Sequence, residues 1–77
     1  MDKINNAIAK IISRLRHERE ISQEELADKA DIHRTYVSQI ERGLKSPTLP
    51  VLIKIAKALN TTASHILIGI EKEINEL

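Results

Sequence analysis

Four polar side chains near the middle of the chain have the types and the spacing needed to read DNA bases: Arg34, Thr35, Ser38 and Gln39. They stand at positions i, i+1, i+4 and i+5, so an α-helix presents them on one face. Hydrogen-bonding side chains on one exposed helix face are what recognition of base edges in a major groove requires, and the Arg34 guanidinium matches guanine with two bonds. The alternative is an ordinary solvated face, which these residues alone do not exclude.

The sequence around this face predicts two short helices that cross through a tight turn. Ser22 and Glu25 form a capping box, in which each residue bonds the backbone N–H of the other, and this box opens the first of the two helices. Ala27 is small where the helix backbones would approach. The apolar residues of the stretch are spaced to bury the facing sides of both helices; they are Leu26, Ala30, Ile32, Val37 and Ile40.

The same reasoning extends to the rest of the chain and predicts five helices. The first covers about residues 5–19, the second ends near residue 30, and the third covers about residues 34–41. Gly43 and Asn60 suit left-handed residues after helix ends, while Thr48 and Thr62 suit the caps of a fourth and a fifth helix. We expect the fourth helix to bury Leu49, Leu52, Ile53, Ile55, Ala56 and Leu59. The predicted fold class is all-α, as one domain of residues 1–77.

Composition excludes several other classes of protein. The chain has 77 residues, a net charge of +1 and no cysteine, which excludes disulfides, thiolate metal sites and cysteine catalysis. The three histidines (His17, His33 and His65) lack metal-ligand spacing. The capping box accounts for Glu25, so the Glu24–Glu25 pair gives little support to acid–base catalysis. We therefore expect no enzyme activity, no metal and no cofactor.

The distribution of apolar residues argues against a membrane protein. No apolar run approaches the ~18 residues that suit a membrane span, and no signal peptide opens the chain. The expected location is cytoplasmic.

The last predicted helix, over about residues 63–76, carries more apolar surface than a five-helix core needs. Surplus apolar surface on a small domain favours pairing. We therefore expect a two-fold homodimer through this helix, although Ile66 and Leu67 could instead pack only on their own core. The predicted interface consists of Ile66, Leu67, Ile70, Ile74 and Leu77.

The stretch ISQEELADKADIHRTYVSQIERGLKSPTLPVLIKIAKAL resembles the phage-repressor (XRE, Cro-like) helix-turn-helix family. Within it, the run HRTYVSQIERG is most similar to the controller proteins of restriction–modification systems. The resemblance covers about residues 8–68, with the helix-turn-helix motif at about 23–42. It implies a compact five-helix domain that binds operator DNA as a dimer.

The resemblance also implies roles for individual residues. Arg34, Thr35, Ser38 and Gln39 match the family's base-reading face, and Arg16 and Glu41 match an ion pair that joins the first and third helices. Asp31 departs from the pattern, because glycine is usual in this turn. Aspartate adopts a positive φ less easily than glycine, so we expect a strained turn or a small change in the angle between the two helices. The residues expected to meet DNA phosphates are Gln23, His33, Tyr36, Arg42, Lys45 and Ser46.

The sequence therefore predicts a homodimeric regulator of transcription that binds a palindromic operator on double-stranded DNA, with a restriction–modification controller as the favoured type. RNA polymerase becomes a further partner if the protein activates a promoter. A phage-type repressor and an autoregulating antitoxin are the alternatives within DNA-binding proteins. A protein–protein adaptor without DNA affinity is the alternative of another class.

Overall fold

The computed structural model describes residues 2–75 and contains five α-helices. They are α1 (Lys3–Glu18), α2 (Gln23–Ala30), α3 (Arg34–Glu41), α4 (Leu49–Ala58) and α5 (Ala63–Asn75). The predicted all-α fold class is confirmed. Helix α1 begins before the predicted start because Asp2 caps it: one carboxylate oxygen accepts hydrogen bonds from the backbone N–H groups of Ile4, at 2.7 Å, and Asn5, at 3.3 Å.

Helices α2 and α3 form the expected helix-turn-helix. The Ser22 hydroxyl oxygen accepts from the Glu25 N–H at 3.0 Å, and the Glu25 carboxylate accepts from the Ser22 N–H at 3.2 Å, which completes the capping box. Asp31 ends α2 in the left-handed conformation, with φ 55° and ψ 48°. The turn is closed by a 3.0 Å bond from the Ile32 N–H to the Ala27 carbonyl.

Local caps also fix the ends of α4 and α5. The Thr48 hydroxyl oxygen accepts from the Val51 N–H at 3.3 Å, and the Thr62 hydroxyl oxygen accepts from the His65 N–H at 3.1 Å. Gly43 and Asn60 have φ values of 74° and 56°, as the helix-end pattern predicts. Asparagine and glycine tolerate this region better than most residues, because their local steric cost is low.

The core is aliphatic and draws on every helix. Helix α1 packs against α3 and α5, and α2 packs against α3 and α4. Ala27, 4% exposed, lies in the core on α2. The largest fully buried side chains are Ile12, Leu26, Val37, Ile40, Ile55, Leu59 and Ile66. This packing holds α3 by its buried side and leaves its opposite side at the surface.

Two side chains of α4 that we expected in the core are exposed. Leu49 is 62% exposed and Ile53 is 44% exposed. Leu49 lies in the first turn, before α4 reaches the core, and Ile53 lies beside the face formed by the buried residues Leu52, Ile55, Ala56 and Leu59. The prediction of their burial was wrong because periodicity gives the direction of a face but not its limits.

Helix α5 directs most of its predicted dimer contacts into its own subunit. Ile66 is 0% exposed and Ile70 is 5% exposed, and both belong to the core, while Ile74 is half-buried against it. Leu67 is 41% exposed. Leu77 lies outside the described residues. Buried side chains offer no surface to a second subunit, so of this set Leu67 alone is well exposed in the described part of α5.

Within residues 2–75, no single helix combines the length and the apolar character needed to cross a membrane. Helices α4 and α5 have that length and composition only when taken together, and a bend of 105° separates them.

Candidate DNA-binding interface

The four side chains predicted to read bases lie together on the outer side of α3. Val37 and Ile40 are 1% and 0% exposed and fix the inner side of the helix in the core. Arg34 and Thr35 are exposed, and Ser38 and Gln39 are half-buried. In the part of the chain that the structure describes, none of the four side chains hydrogen-bonds or ion-pairs with another residue.

His33 caps α3 with its ring. The ring Nδ1 accepts a hydrogen bond of 3.1 Å from the Thr35 backbone N–H, and the residue itself is exposed. A nitrogen that accepts cannot carry hydrogen, so a neutral ring in this geometry has its hydrogen on Nε2. In that form the ring Nε2–H has no hydrogen-bond partner among the described residues.

Tyr36, which we expected to meet a DNA phosphate, is only partly at the surface. The ring is half-buried and packs against the core, and the hydroxyl oxygen accepts a 3.4 Å bond from the Thr48 N–H, at the cap of α4. The hydroxyl hydrogen is not used in that bond. Tyr36 therefore ties α3 to α4 and keeps one donor for a ligand.

The loop after α3 carries exposed positive charge. Arg42 and Lys45 are both exposed, and residues 33–46 contain three basic residues and a single acid, Glu41. The Ser46 hydroxyl donates to the side-chain amide oxygen (Oδ1) of Asn5 on α1. Its hydrogen is thus already committed, so Ser46 is a weaker phosphate donor than its type indicates, while Lys45 beside it extends into solvent.

Arg16 and Glu41 join α1 to the end of α3. The Arg16 Nε and one terminal nitrogen donate to the two Glu41 oxygens at 2.7 and 2.9 Å, and the other terminal nitrogen donates to the Ile21 carbonyl at 2.9 Å. The two side chains are 11% and 5% exposed. The hydrogen bond with Glu41 raises the pKa of Arg16 above its ordinary value despite the opposing effect of burial.

Gln23 makes a contact that the sequence did not indicate. Its carboxamide nitrogen donates to Glu41 Oε1 at 3.1 Å, and the residue is half-buried at the first position of α2. Glu41 thus holds side chains from two other helices. The residues are 18 positions apart, and no local pattern announces such a contact.

Comparisons with known proteins agree with this geometry. A helix-turn-helix family profile matches residues 12–66. Control protein C.SmaI of Serratia marcescens is 39% identical over 64 residues, which cover 83% of this chain and 76% of that protein. Control protein C.MunI of a Mycoplasma species is 38% identical over 74 residues, which cover 95% of this chain and 100% of that protein.

A solved structure extends the likeness to three dimensions. The restriction–modification controller protein C.Esp1396I, solved as a tetramer in complex with its natural 35-base-pair operator, superposes with a TM-score of 0.86 at 31% identity. The match covers 96% of this chain and 97% of that chain. With the profile match, these similarities confirm the family resemblance: the chain belongs to the XRE-type helix-turn-helix family of DNA-binding transcription regulators.

Proposed function

We propose that this regulator binds a palindromic operator as a homodimer and controls a restriction–modification operon. The single observation that carries the DNA-binding part is the outer side of α3, where four adjacent polar side chains have no partner among the described residues. A side chain whose polar groups already bond within the protein cannot also bond a base edge. The polar groups of these four side chains have no such internal bonds. An adaptor that contacts only proteins has no need of such a face.

Arg34 is the residue that we propose to select sequence. It lies in the first turn of α3 and is exposed, and residues near the N-terminus of a recognition helix contact base edges. Its guanidinium can form two bonds to the O6 and N7 atoms of guanine. Thr35, Ser38 and Gln39 extend the reading surface along the helix.

A second group of residues is proposed to hold the DNA backbone. Lys45 and Arg42 supply charge from the loop, and His33 and Tyr36 supply N–H and O–H donors. Phosphate contacts of this kind fix the register of a protein on the duplex without selecting sequence. The net charge of +1 makes these local charges important, because the chain has little overall attraction for DNA.

We assign the proposed dimer contact to an exposed apolar surface of Ile4, Leu49, Ile53 and Leu67. Three of these residues, Ile4, Leu49 and Leu67, line one groove of about 260 Å³ between α1, α4 and α5. Ile53 lies one turn after Leu49 on α4 and is 44% exposed. An exposed apolar surface of this kind favours association, and a second copy of the chain is the occupant that a palindromic operator requires.

The proposed mode of control needs no catalytic step and no cofactor. A dimer that covers a promoter represses it, and a dimer beside a promoter that contacts RNA polymerase activates it. In either case the protein acts on DNA in the cytoplasm, and its own concentration sets the occupancy of the operator through dimerisation.

Selection of bound duplexes from random DNA tests this proposal. We expect inverted repeats whose half-sites lie about one helical turn, or about 34 Å, apart. The selected duplex should bind at least about 10³-fold more tightly than a scrambled duplex of equal length at the same salt concentration. Failure to enrich any sequence, with the protein folded, would overturn the proposal.

A further inference from the structure

We propose that Glu41 is a positioning residue for DNA binding: it fixes the orientation of the Gln23 carboxamide, so that an N–H group rather than the carbonyl oxygen meets the phosphate. This inference rests on the proposed function, and on the expectation from the sequence that Gln23 meets a DNA phosphate. The observation that carries it is the 3.1 Å bond from the Gln23 nitrogen to Glu41 Oε1.

The chemistry of the two groups permits one orientation only. A carboxylate accepts hydrogen bonds and cannot donate them, so the group of Gln23 that faces Glu41 must be the NH₂. The flipped carboxamide would bring its carbonyl oxygen against a carboxylate oxygen. In the permitted orientation Nε2 keeps a second hydrogen that Glu41 does not use, and a phosphate oxygen can accept it.

Glu41 is itself held in place by Arg16. Two bonds, of 2.7 and 2.9 Å, fix both carboxylate oxygens, and the third Arg16 nitrogen is fixed by the Ile21 carbonyl. Only 5% of the Glu41 side chain is exposed, so the carboxylate cannot swing into solvent. The position of the Gln23 nitrogen is therefore set by three residues on three different parts of the chain.

Arg16 also solves an electrostatic difficulty. An isolated carboxylate beneath a phosphate contact would repel the DNA, but the adjacent guanidinium cancels its charge. The pair can thus orient Gln23 without adding net charge to the interface. Arg16 and Glu41 alone are enough to join α1 to α3. The additional hydrogen bond from Gln23 to Glu41 connects this ion pair to the proposed phosphate contact.

The test uses a variant that removes the ion pair as a unit. Arg16→Met with Glu41→Leu leaves the net charge unchanged, and replacement of a buried pair by apolar residues is often tolerated. The probe is a mixed-sequence 30-base-pair duplex at low salt, because a phosphate contact does not depend on sequence. Affinities are compared for the wild type, Q23A, R16M/E41L and the triple variant.

We expect Q23A to weaken duplex binding about two- to tenfold, the range of one hydrogen bond. R16M/E41L should weaken it within the same range, and the triple variant should bind no more weakly than Q23A. A role of the pair in the fold alone predicts that R16M/E41L binds like the wild type. Losses that simply add in the triple variant would show that the pair and Gln23 act separately, which also overturns the inference.

E41D supplies a second test that keeps the charge and needs little repacking. Retraction of the carboxylate by one methylene should lengthen the bond to Gln23 and weaken duplex binding in the wild-type background but not in Q23A. NMR of the Gln23 side-chain NH₂ gives an independent readout: DNA should shift one of its two proton signals far more in the wild type than in R16M/E41L.

Failure of the inference and failure of the proposed function give different results. If the wild-type protein does not bind the duplex at low salt, the proposed function is wrong and the inference falls with it. If the wild type binds and R16M/E41L binds equally well, the inference alone is wrong.

Discussion

The Arg16 guanidinium holds both oxygens of the Glu41 carboxylate, at 2.7 and 2.9 Å, across the packed surfaces of α1 and α3. Both side chains are nearly buried, at 11% and 5% exposure. The pair fastens the C-terminal end of α3 to α1, the longest of the five helices in residues 2–75. Loss of one partner alone should therefore destabilise the whole fold rather than one helix end, because the other charge would stay buried without its counter-charge.

Glu41→Gln should lower the free energy of unfolding by about 3–5 kcal/mol, because Arg16 would remain charged in a buried site without a full partner. Urea unfolding followed by circular dichroism measures this. Glu18→Gln is the matched control: Glu18 lies 3.6 Å from Arg19 and is 56% exposed, so its loss should cost no more than about 0.5 kcal/mol. If the two variants have the same free energy of unfolding, the buried Arg16–Glu41 pair stabilises the protein no more than an exposed pair does.

The cap of α3 gives a second stability prediction. His33→Ala removes the acceptor of the Thr35 N–H and should destabilise the protein by about 0.5–2 kcal/mol, whereas His33→Asn supplies a new cap acceptor and should lose less. Thermal unfolding of both variants measures the difference. If asparagine is as costly as alanine, the ring stabilises α3 by some contact other than the cap.

The successes and failures of sequence reasoning have a common physical cause. The Ser22–Glu25 capping box and the left-handed turn at Asn60 each join residues only three or four positions apart, so the sequence predicted both. Contacts such as that from Gln23 to Glu41 depend on how helices cross, which no local pattern contains. An apolar stripe likewise predicted the inner face of α5 but could not distinguish Ile70, packed in its own subunit, from a residue that meets a second one.

The assignment of the dimer surface predicts opposite effects for two neighbouring residues of α5. Leu67→Glu places a charge on the exposed apolar surface and should yield monomers, with the stability of the subunit changed by less than about 0.5 kcal/mol. Ile70→Ala leaves a cavity in the core and should cost about 2–5 kcal/mol of unfolding free energy.

Sedimentation at several concentrations, with urea unfolding of the same samples, separates these effects. A Leu67→Glu variant that still dimerises would move the interface away from the groove. A Leu49→Glu variant then tests the other wall of the same groove. If both variants still form dimers, this apolar surface is not the dimer interface.

The division between base reading and backbone holding is tested by Arg34 and Lys45. Arg34→Ala should cost about 1–3 kcal/mol per half-site on the selected operator and should relax the preference at one symmetric base position. Lys45→Ala should weaken binding to operator and scrambled duplexes alike, and should reduce the salt slope by about one unit per subunit. The two residues are matched as exposed cations, so both variants lower the net charge equally and only the position of the lost charge differs.

Titrations of both variants against both duplexes at several salt concentrations measure these effects. If Arg34→Ala weakens the two duplexes equally, Arg34 contacts the backbone, and sequence must be read by Thr35, Ser38 and Gln39 alone.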